Sequence, residues 1–223
     1  MPSLDPAILN TYTFYPTKEW LEDGISEEAM RLYQIRYSIK ENKIIIPHYD
    51  VEGKLIGIRG RALNEEDLIY GKYMPISLGD TILKHPLGYN LYGLNMIQGN
   101  IKRLNMAIIA ESEKAVLQYD TMFGHHNNIV VATCGSSLHD YQINLLIHAG
   151  ASKILLAYDK EGETEEERKK YYMKLRKICE TYQNKVQMGF IWDMENLLDL
   201  KDSPTDKGKE VFLRLYWKNT VWI

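Results

Sequence analysis

The stretch "NMAIIAESEKAVLQYD", Asn105–Asp120, passes from an apolar run into an amphipathic pattern through a single acid. The run Met106–Ala110 is short and does not alternate with polar residues, which is typical of a strand covered on both faces of a parallel sheet. The run ends at Glu111, and apolar residues at helical spacing follow over Ser112–Phe123. The stretch therefore predicts a buried strand, a carboxylate at its end, and a helix.

The stretch "SKILLAYDKEGE", Ser152–Glu163, repeats this arrangement, because the apolar run Ile154–Tyr158 leads directly into Asp159 and Glu161. In an open parallel sheet, ligands bind beyond the carboxyl ends of the strands. If the two strands are neighbours, these acids and Glu111 converge at one edge of the sheet.

Two further apolar runs and two further helical patterns, between residues 129 and 192, continue the alternation of strands with helices. Alternation of apolar strands with helices predicts an α/β fold with a four-stranded parallel sheet flanked by helices. We predict that this domain spans residues 104–208 and that residues 209–223 form a C-terminal helical tail. The further strands are Ile129–Thr133 and Val186–Trp192, and the further helices are Leu138–His148 and Glu163–Tyr182.

Residues 1–103 are predicted to form a mixed α+β N-terminal subdomain. The segment "GISEEAMRLYQIRY", Gly24–Tyr37, predicts a short helix with Ser26 as its N-cap. The segment "NKIIIPHYDVEGKLIGIRGRAL", Asn42–Leu63, predicts a hairpin whose turn carries Glu52-Gly53. A loop rich in Asn, Glu and Asp follows at residues 64–67.

Strand alternation assigns faces within the second strand of this hairpin. Leu55 and Arg59 are expected on one face, with Ile56 and Ile58 on the other. By the same alternation, Arg61 shares the face of Arg59.

The composition is that of an ordinary soluble globular protein: of 223 residues, 45% are hydrophobic and 26% charged, with a net charge of −3. A slight excess of Lys and Arg over Asp and Glu between residues 40 and 103 permits a local basic groove. No apolar run is long enough to span a membrane, and the N-terminus lacks the features of a signal peptide. The cysteines Cys134 and Cys179 cannot form a zinc finger without nearby histidine pairs, and a cytoplasmic location is expected.

The acids at and near the strand ends suggest a divalent cation. Gathered carboxylates repel one another, and Asp and Glu oxygens suit Mg²⁺, which shares its remaining positions with water and phosphates. The alternative is that these acids are solvated or act as helix N-caps. The candidates are Glu111, Glu113, Asp159, Glu161, Asp202 and Asp206.

Residues 106–206 resemble a Toprim domain, the metal-binding module of DnaG-type primases, topoisomerases and some nucleases. The resemblance rests on Glu111 after the first strand and on Asp159-Lys160-Glu161 after the third. "CGSSLHDYQINLL", Cys134–Leu146, and "KDSPTD", Lys201–Asp206, are similar to further primase segments. The order of the N-terminal segments "GISEEAMRLYQIRYS", "NKIIIPHYDVEGKLIGIRGRAL", "GKYMPIS" and "YNLYGLN" resembles that of the DnaG-type catalytic core.

The resemblance implies a primase core, a DNA-directed RNA polymerase that makes short RNA primers on single-stranded DNA during replication. It implies Mg²⁺ or Mn²⁺ as cofactor, ribonucleoside triphosphates as substrates, and as partners a replicative helicase and a separate zinc-ribbon domain or protein. Relatives in phages and mobile elements are expected. The implied catalytic and metal residues are Glu111, Asp159 and Glu161, with Asp202 and Asp206 as further metal ligands, and the implied nucleic-acid or nucleotide contacts are Arg59, Arg61, Lys72, Tyr73, Lys84 and Lys114.

Three positions depart from the family pattern. Glu161 is one methylene longer than the usual Asp, Ser112 replaces a usual Gly, and Ala115 stands where primases often carry an acid. Glu113 is a possible substitute for that acid. The alternatives are a Toprim nuclease and a catalytically degenerate module that binds nucleic acid or a helicase.

Overall fold

The computed structural model describes residues 2–64, 69 and 71–223. Most of the predicted polar loop at residues 64–67 lies outside this set. Ahead of the first sheet, the predicted N-cap is confirmed, because Ser26 Oγ accepts a hydrogen bond from the backbone N–H of Ala29 at 3.1 Å. The elements here are a 3-10 turn, Pro6–Thr11, and the helices α1 (Lys18–Glu22) and α2 (Glu27–Leu32).

The N-terminal sheet is antiparallel and has the spatial order β1-β2-β3-β4. Its central pair is the predicted hairpin, and Gly53 in the turn has a φ of 81°, which glycine adopts without steric cost. A two-stranded sheet, β5-β6, follows it. The strands are β1 (Arg36–Ser38), β2 (Lys43–Tyr49), β3 (Leu55–Ala62), β4 (Tyr73–Pro75), β5 (Ser77–Leu78) and β6 (Thr81–Ile82).

The predicted alternation of β3 is wrong at its first residue. Leu55 pairs with Tyr49, and Ile56 is left as an extra residue at a β-bulge. Leu55 therefore packs with Ile58 in a small apolar cluster instead of sharing the face of Arg59. The bulge precedes both arginines of the strand, so their register follows the regular pairing.

The α/β sheet has the order β11-β10-β9-β7-β8, and β7 to β10 are parallel, which confirms the predicted four-stranded parallel sheet. Its strands are β7 (Met106–Ala110), β8 (Val130–Ala132), β9 (Lys153–Leu156), β10 (Gln187–Ile191) and β11 (Thr220–Trp222). The associated helices are α3 (Leu94–Leu104), α4 (Glu113–Phe123), α5 (Asp140–His148), α6 (Glu165–Tyr182) and α7 (Gly208–Lys218), with 3-10 turns at Leu87–Tyr89 and His125–Asn127.

The C-terminal tail, residues 209–223, contains a strand in addition to a helix. After α7, residues 220–222 form β11, which pairs antiparallel with β10 as a fifth strand. Gly189 of β10 allows this, because a Cβ there would lie 2.6 Å from a ring carbon of Trp222 and 2.8 Å from the backbone oxygen of Val221. The prediction of a purely helical tail is corrected accordingly.

Gly189→Ala is expected to lower the free energy of unfolding by about 1–3 kcal/mol, because the new methyl must displace both the ring and the backbone of β11. Urea unfolding measures the change. Gly99→Ala is the matched control: its Cβ meets nothing within 4 Å on helix α3, so it should raise stability by roughly 0.5–1 kcal/mol. A Gly189→Ala protein as stable as wild type would contradict the close contact with β11.

One apolar core joins the two sheets. Trp20, Ile44 and Leu91 from the N-terminal part pack in the same buried cluster as Ile109 and Phe190 of the α/β sheet. The backbones of Tyr92 and Ala132 also exchange N–H···O bonds of 2.9 and 3.1 Å, which covers the outer edge of β8. Among the described residues, the helices lack the combination of length and hydropathy that membrane spanning requires.

Candidate metal and nucleotide site

Two of the predicted acids lie side by side at the carboxyl edge of the α/β sheet. Strands β7 and β9 are neighbours, with Ile109 opposite Leu156. The N–H of Ala157 donates to the backbone oxygen of Ile109 at 2.8 Å, which extends the pairing beyond the end of β9. Glu111 and Asp159 therefore emerge from adjacent strands at the same edge.

The acids at this edge oppose one another's ionisation. Burial raises the pKa of Asp159 to about 7, and repulsion from Glu111, Asp206 and Glu161 adds to the shift. Burial also raises the pKa of Glu111, again with repulsion from Glu161. In the absence of a cation, these carboxyls cannot all ionise at neutral pH without a free-energy penalty.

The donor set fits a hard divalent cation. Oδ1 of Asp159 is buried and has no hydrogen-bond partner among the described residues, and an unpaired buried polar atom costs free energy. Carboxylate oxygens are the ligands that Mg²⁺ prefers. The residues that would hold the cation are Glu111, Asp159 and Glu161.

Glu161 already has a positively charged partner. Nζ of Lys201 donates to both of its carboxylate oxygens, at 2.6 and 2.5 Å. This hydrogen bond raises the pKa of Lys201. A divalent cation at Glu161 would therefore compete with an ammonium group of the same chain.

Asp206 and Asp202 have different surroundings. Oδ1 of Asp206 accepts from Nζ of Lys114 at 2.6 Å, and although burial acts to raise the pKa of Asp206, Lys114 holds it below its usual value. Oδ2 of Asp202 accepts from the N–H of Asp199 at 2.9 Å and lies 3.0 Å from Nζ of Lys207. Asp206 thus adjoins the strand-end acids, whereas Asp202 is engaged in its own turn.

A cleft of about 280 Å³ lies between the two sheets at this edge. The N-terminal sheet and the residue preceding β4 contribute Arg59, Lys72 and Tyr73 to it. The α/β part contributes Glu111, Ser112, Glu113, Lys114, Cys134, Gly135, Asp159, Lys201, Ser203 and Asp206. The cleft therefore brings most of the predicted acidic and basic residues together.

Three of the predicted basic residues form a cationic cluster beside the cleft. Burial lowers the pKa of Lys72, and repulsion from Arg61 and Lys114 lowers it further. Arg61 lies 3.5 Å from Asp23, but its Nε and Nη1 have no hydrogen-bond partner among the described residues. Both nitrogens are buried, and Arg61 is not among the described residues that line the cleft, although a guanidinium in general suits phosphate through two parallel hydrogen bonds.

Two other predicted contacts with nucleic acid or nucleotide, Lys84 and Tyr73, differ in position. Lys84 is exposed after β6 and is not among the described residues that line the cleft. Tyr73 is half-buried, and its ring centroid lies 5.8 Å from Cζ of Arg59. Stacking of Tyr73 on a base stays a prediction.

Glu113 has a structural role that the sequence did not reveal. Its carboxylate is 1% exposed and accepts from Nη1 of Arg59 at 2.8 Å and from Nε2 of His48 at 3.1 Å. Burial acts to raise its pKa, but the His48 hydrogen bond and the Arg59 charge hold the pKa at about 2. Glu113 therefore ties the hairpin to helix α4 as a fully paired carboxylate.

His48, Glu113 and Cys134 bring three potential metal-ligand atoms within 4.8 Å of one another. Nη1 of Arg59 donates to Glu113 and, at 3.3 Å, to the backbone oxygen of Cys134. Because the guanidinium already neutralises this cluster, we place the candidate metal at the edge formed by Glu111 and Asp159.

A second cavity, of about 660 Å³, is also bordered by Glu111 and Glu161. Its cationic lining residues are Lys170, Lys174 and Lys201. Lys174 partly offsets the burial that raises the pKa of Glu111. Lysine ammonium groups thus stand near the acids in this cavity as well.

Comparisons with known proteins agree with this architecture. The family model of the Toprim domain matches residues 106–191, the segment that contains the four parallel strands β7 to β10. The SPbeta prophage-derived uncharacterized protein YorJ of Bacillus subtilis is 35% identical over 227 residues, which cover 96% of this chain and 60% of YorJ. The DNA primase of Clostridium acetobutylicum is 30% identical over 205 residues, which cover 90% of this chain and 30% of the primase.

Comparison with a solved structure identifies the fold of the chain more closely. The zinc-binding and RNA polymerase domains of the Aquifex aeolicus primase superpose with a TM-score of 0.71 at 20% identity, covering 97% of this chain and 60% of that chain. The chain therefore has the fold of the DnaG-type primase catalytic core, which confirms the resemblance and the fold class. It spans 60% or less of the length of each of these three relatives.

Proposed function

We propose that the chain is the metal-dependent nucleotidyltransferase core of a DNA primase. It joins ribonucleoside triphosphates into short RNA primers on a single-stranded DNA template during replication. The observation that carries this proposal is the cleft in which repelling acids and a cationic cluster lie together, within the fold of a primase core.

In the proposed reaction, the 3′-hydroxyl of one nucleotide attacks the α-phosphate of the next, and pyrophosphate leaves. Mg²⁺ or Mn²⁺, when bound, neutralises charge on the reacting phosphate and lowers the pKa of the attacking hydroxyl. Glu111, Asp159 and Glu161 hold the cation, and Asp206 supports it. Asp202 would have to leave its contacts with Asp199 and Lys207 to contribute.

The basic residues position the anionic substrates. Arg61 and Lys72 bind phosphates of the template and the triphosphate, because cationic neighbours oppose the charge of Lys72 and two nitrogens of Arg61 lack a hydrogen-bond partner among the described residues. Lys114 joins them when it exchanges its ion pair with Asp206 for a phosphate. Arg59 keeps the cleft wall in place through Glu113 and places a positive charge beside the cleft. Most of the rate enhancement then comes from positioning and electrostatics.

Template choice and unwinding are assigned to partners. The resemblance to primases points to a replicative helicase and to a zinc-ribbon domain or protein for these tasks. The core is accordingly expected to act weakly when it is assayed alone.

An assay of the purified chain with labelled ribonucleotides, single-stranded DNA and Mn²⁺ tests the activity. Short oligonucleotides that require the template, the metal and all substrates are expected. Asp80→Asn, which alters an exposed acid in the β5–β6 turn, should leave the yield unchanged. Degradation of labelled nucleic acid without nucleotides would instead identify a nuclease.

Lys72→Met is expected to weaken single-stranded DNA binding several-fold for all template sequences, because it removes one phosphate contact. The slope of log affinity against log salt should decrease in magnitude by about 0.7. Fluorescence anisotropy over a salt series measures both quantities. Lys177→Met on α6 removes the same charge from an exposed position outside the cleft lining and should retain the wild-type slope.

A degenerate module that binds nucleic acid or a helicase is the second candidate. The ion pair between Lys201 and Glu161 favours it, because a lysine neutralises one of the three proposed metal ligands. DNA binding without either Mn²⁺ binding or primer synthesis would support this candidate over the polymerase.

A further inference from the structure

Lys201 connects the acids with the two cavities. Its ammonium donates to both oxygens of Glu161, and the residue lines both the 280 Å³ cleft and the 660 Å³ cavity. The ammonium group therefore stands at the border between the carboxylate cluster and the spaces that a nucleotide would occupy.

The backbone of Lys201 is fixed beside Glu161. Its N–H donates to the backbone oxygen of Lys160 at 2.8 Å, and the N–H of Lys160 donates to Asp202 at the same distance. The side chain of Lys160 is in turn anchored on the nearly buried Asp193, at 3.0 Å. Lys201 has a φ of 68°, in the left-handed region that a non-glycine residue occupies only when its surroundings impose it.

The side chain of Lys201, in contrast, is largely exposed to solvent. The side chain of Lys201 is 64% exposed and that of Glu161 is 35% exposed. Ion pairs of this exposure contribute little free energy, since solvent screens them and ordering the side chains opposes them. A divalent cation that also binds Glu111 and Asp159 can displace the ammonium of Lys201 from Glu161.

We infer that Lys201 is a positioning residue that alternates between two partners. Before a divalent cation binds, it neutralises Glu161 and holds that carboxylate toward the site. Once the cation binds, Lys201 releases Glu161 and its charge becomes available to the phosphates of the nucleotide. This inference rests on the proposed function, because it takes a nucleoside triphosphate as the second partner.

The inference predicts opposite effects of one substitution on two ligands. Lys201→Met should bind Mn²⁺ roughly two- to fivefold more tightly in the absence of nucleotide, because its internal competitor is removed. With Mn²⁺ saturating, the same variant should bind ATP several-fold more weakly. Loss of structure alone would weaken both. The free Mn²⁺ signal in electron paramagnetic resonance measures the first affinity, and calorimetry measures the second.

The controls separate direct competition from a general change in charge. Lys174→Met removes a lysine that acts on Glu111 electrostatically, so it should tighten Mn²⁺ binding less than Lys201→Met does. Lys201→Arg keeps the charge and should stay near wild type for both ligands. Lys201→Gln provides a second neutral variant if the methionine variant folds poorly.

Several results would overturn the inference: unchanged or weaker Mn²⁺ binding by both neutral Lys201 variants, equal tightening by Lys174→Met, unchanged ATP binding, or no Mn²⁺ binding by the wild type. The proposed function fails in a different way. If primer synthesis is absent but the opposite shifts in Mn²⁺ and ATP affinity occur, the polymerase assignment is rejected and the role of Lys201 stands.

Discussion

Asp159→Asn is expected to abolish the stabilisation of the protein by Mn²⁺ and to reduce primer synthesis by roughly a hundredfold or more, because the central carboxylate of the proposed site is lost. The same substitution should make the metal-free protein more stable at pH 7. The reason is that burial, reinforced by repulsion from neighbouring acids, raises the pKa of Asp159 to about 7, whereas asparagine stays neutral.

The pH dependence of this effect has a defined sign. Between about pH 4 and pH 7, the folded state holds a proton on Asp159 that the unfolded state has released, so wild-type stability falls as the pH rises. The variant lacks this contribution, and its advantage should grow across that window to about 1–3 kcal/mol. The difference between the two proteins isolates residue 159 from other titrating groups.

Thermal unfolding of both proteins with and without saturating Mn²⁺ measures these effects. A ligand at one hundred times its Kd stabilises the native state by about 2.7 kcal/mol, which is readily detected in the wild type. Asp80→Asn is the control for removal of an acid and should respond to Mn²⁺ as the wild type does. A Mn²⁺ response that survives in Asp159→Asn would place the cation elsewhere.

Glu113→Ala is expected to lower the free energy of unfolding by about 3–5 kcal/mol. Removal of one partner from a buried ion pair leaves the other charge uncompensated, and here Arg59 would lose its carboxylate while only 11% of its side chain is exposed. His48 would also lose the partner of its Nε2. Denaturant unfolding measures the change.

Glu165→Ala is the matched control for Glu113. Both glutamates lie in the first turn of a helix, but Glu165 of α6 is exposed. Its loss should cost only about 0.3–1 kcal/mol, the usual contribution of an acid near a helix N-terminus. Similar values for the two variants would show that the buried network contributes no more than the helix dipole does.

The strand-end acids were predictable because their positions follow from local pattern and one topological rule. Apolar runs identify β7 and β9, and parallel neighbours place Glu111 and Asp159 at the same edge. The resemblance to primases added the basic residues, and Arg59 and Lys72 do line the cleft. Their roles as ligands and contacts stay predictions.

Other features depend on contacts between distant residues. His48 and Glu113 are separated by 65 positions, and the sequence carries no periodicity that links them. Strand β11 has only three residues, too few for an alternation to be recognised, and it forms because Gly189 admits Trp222. The bulge in β3 likewise shifts Leu55, and although Gly57 directly follows the extra residue Ile56, a glycine in a strand does not by itself say where the pairing shifts.

The apolar core shared by the two sheets has a mechanical consequence. Because Trp20 and Ile109 belong to one buried cluster, and because Tyr92 pairs with Ala132, moving the two cleft walls apart would expose apolar surface and break backbone hydrogen bonds. These contacts favour the separation of the walls that is reached on folding. If the proposed function holds, template and nucleotide would enter a cleft that is already formed before they bind.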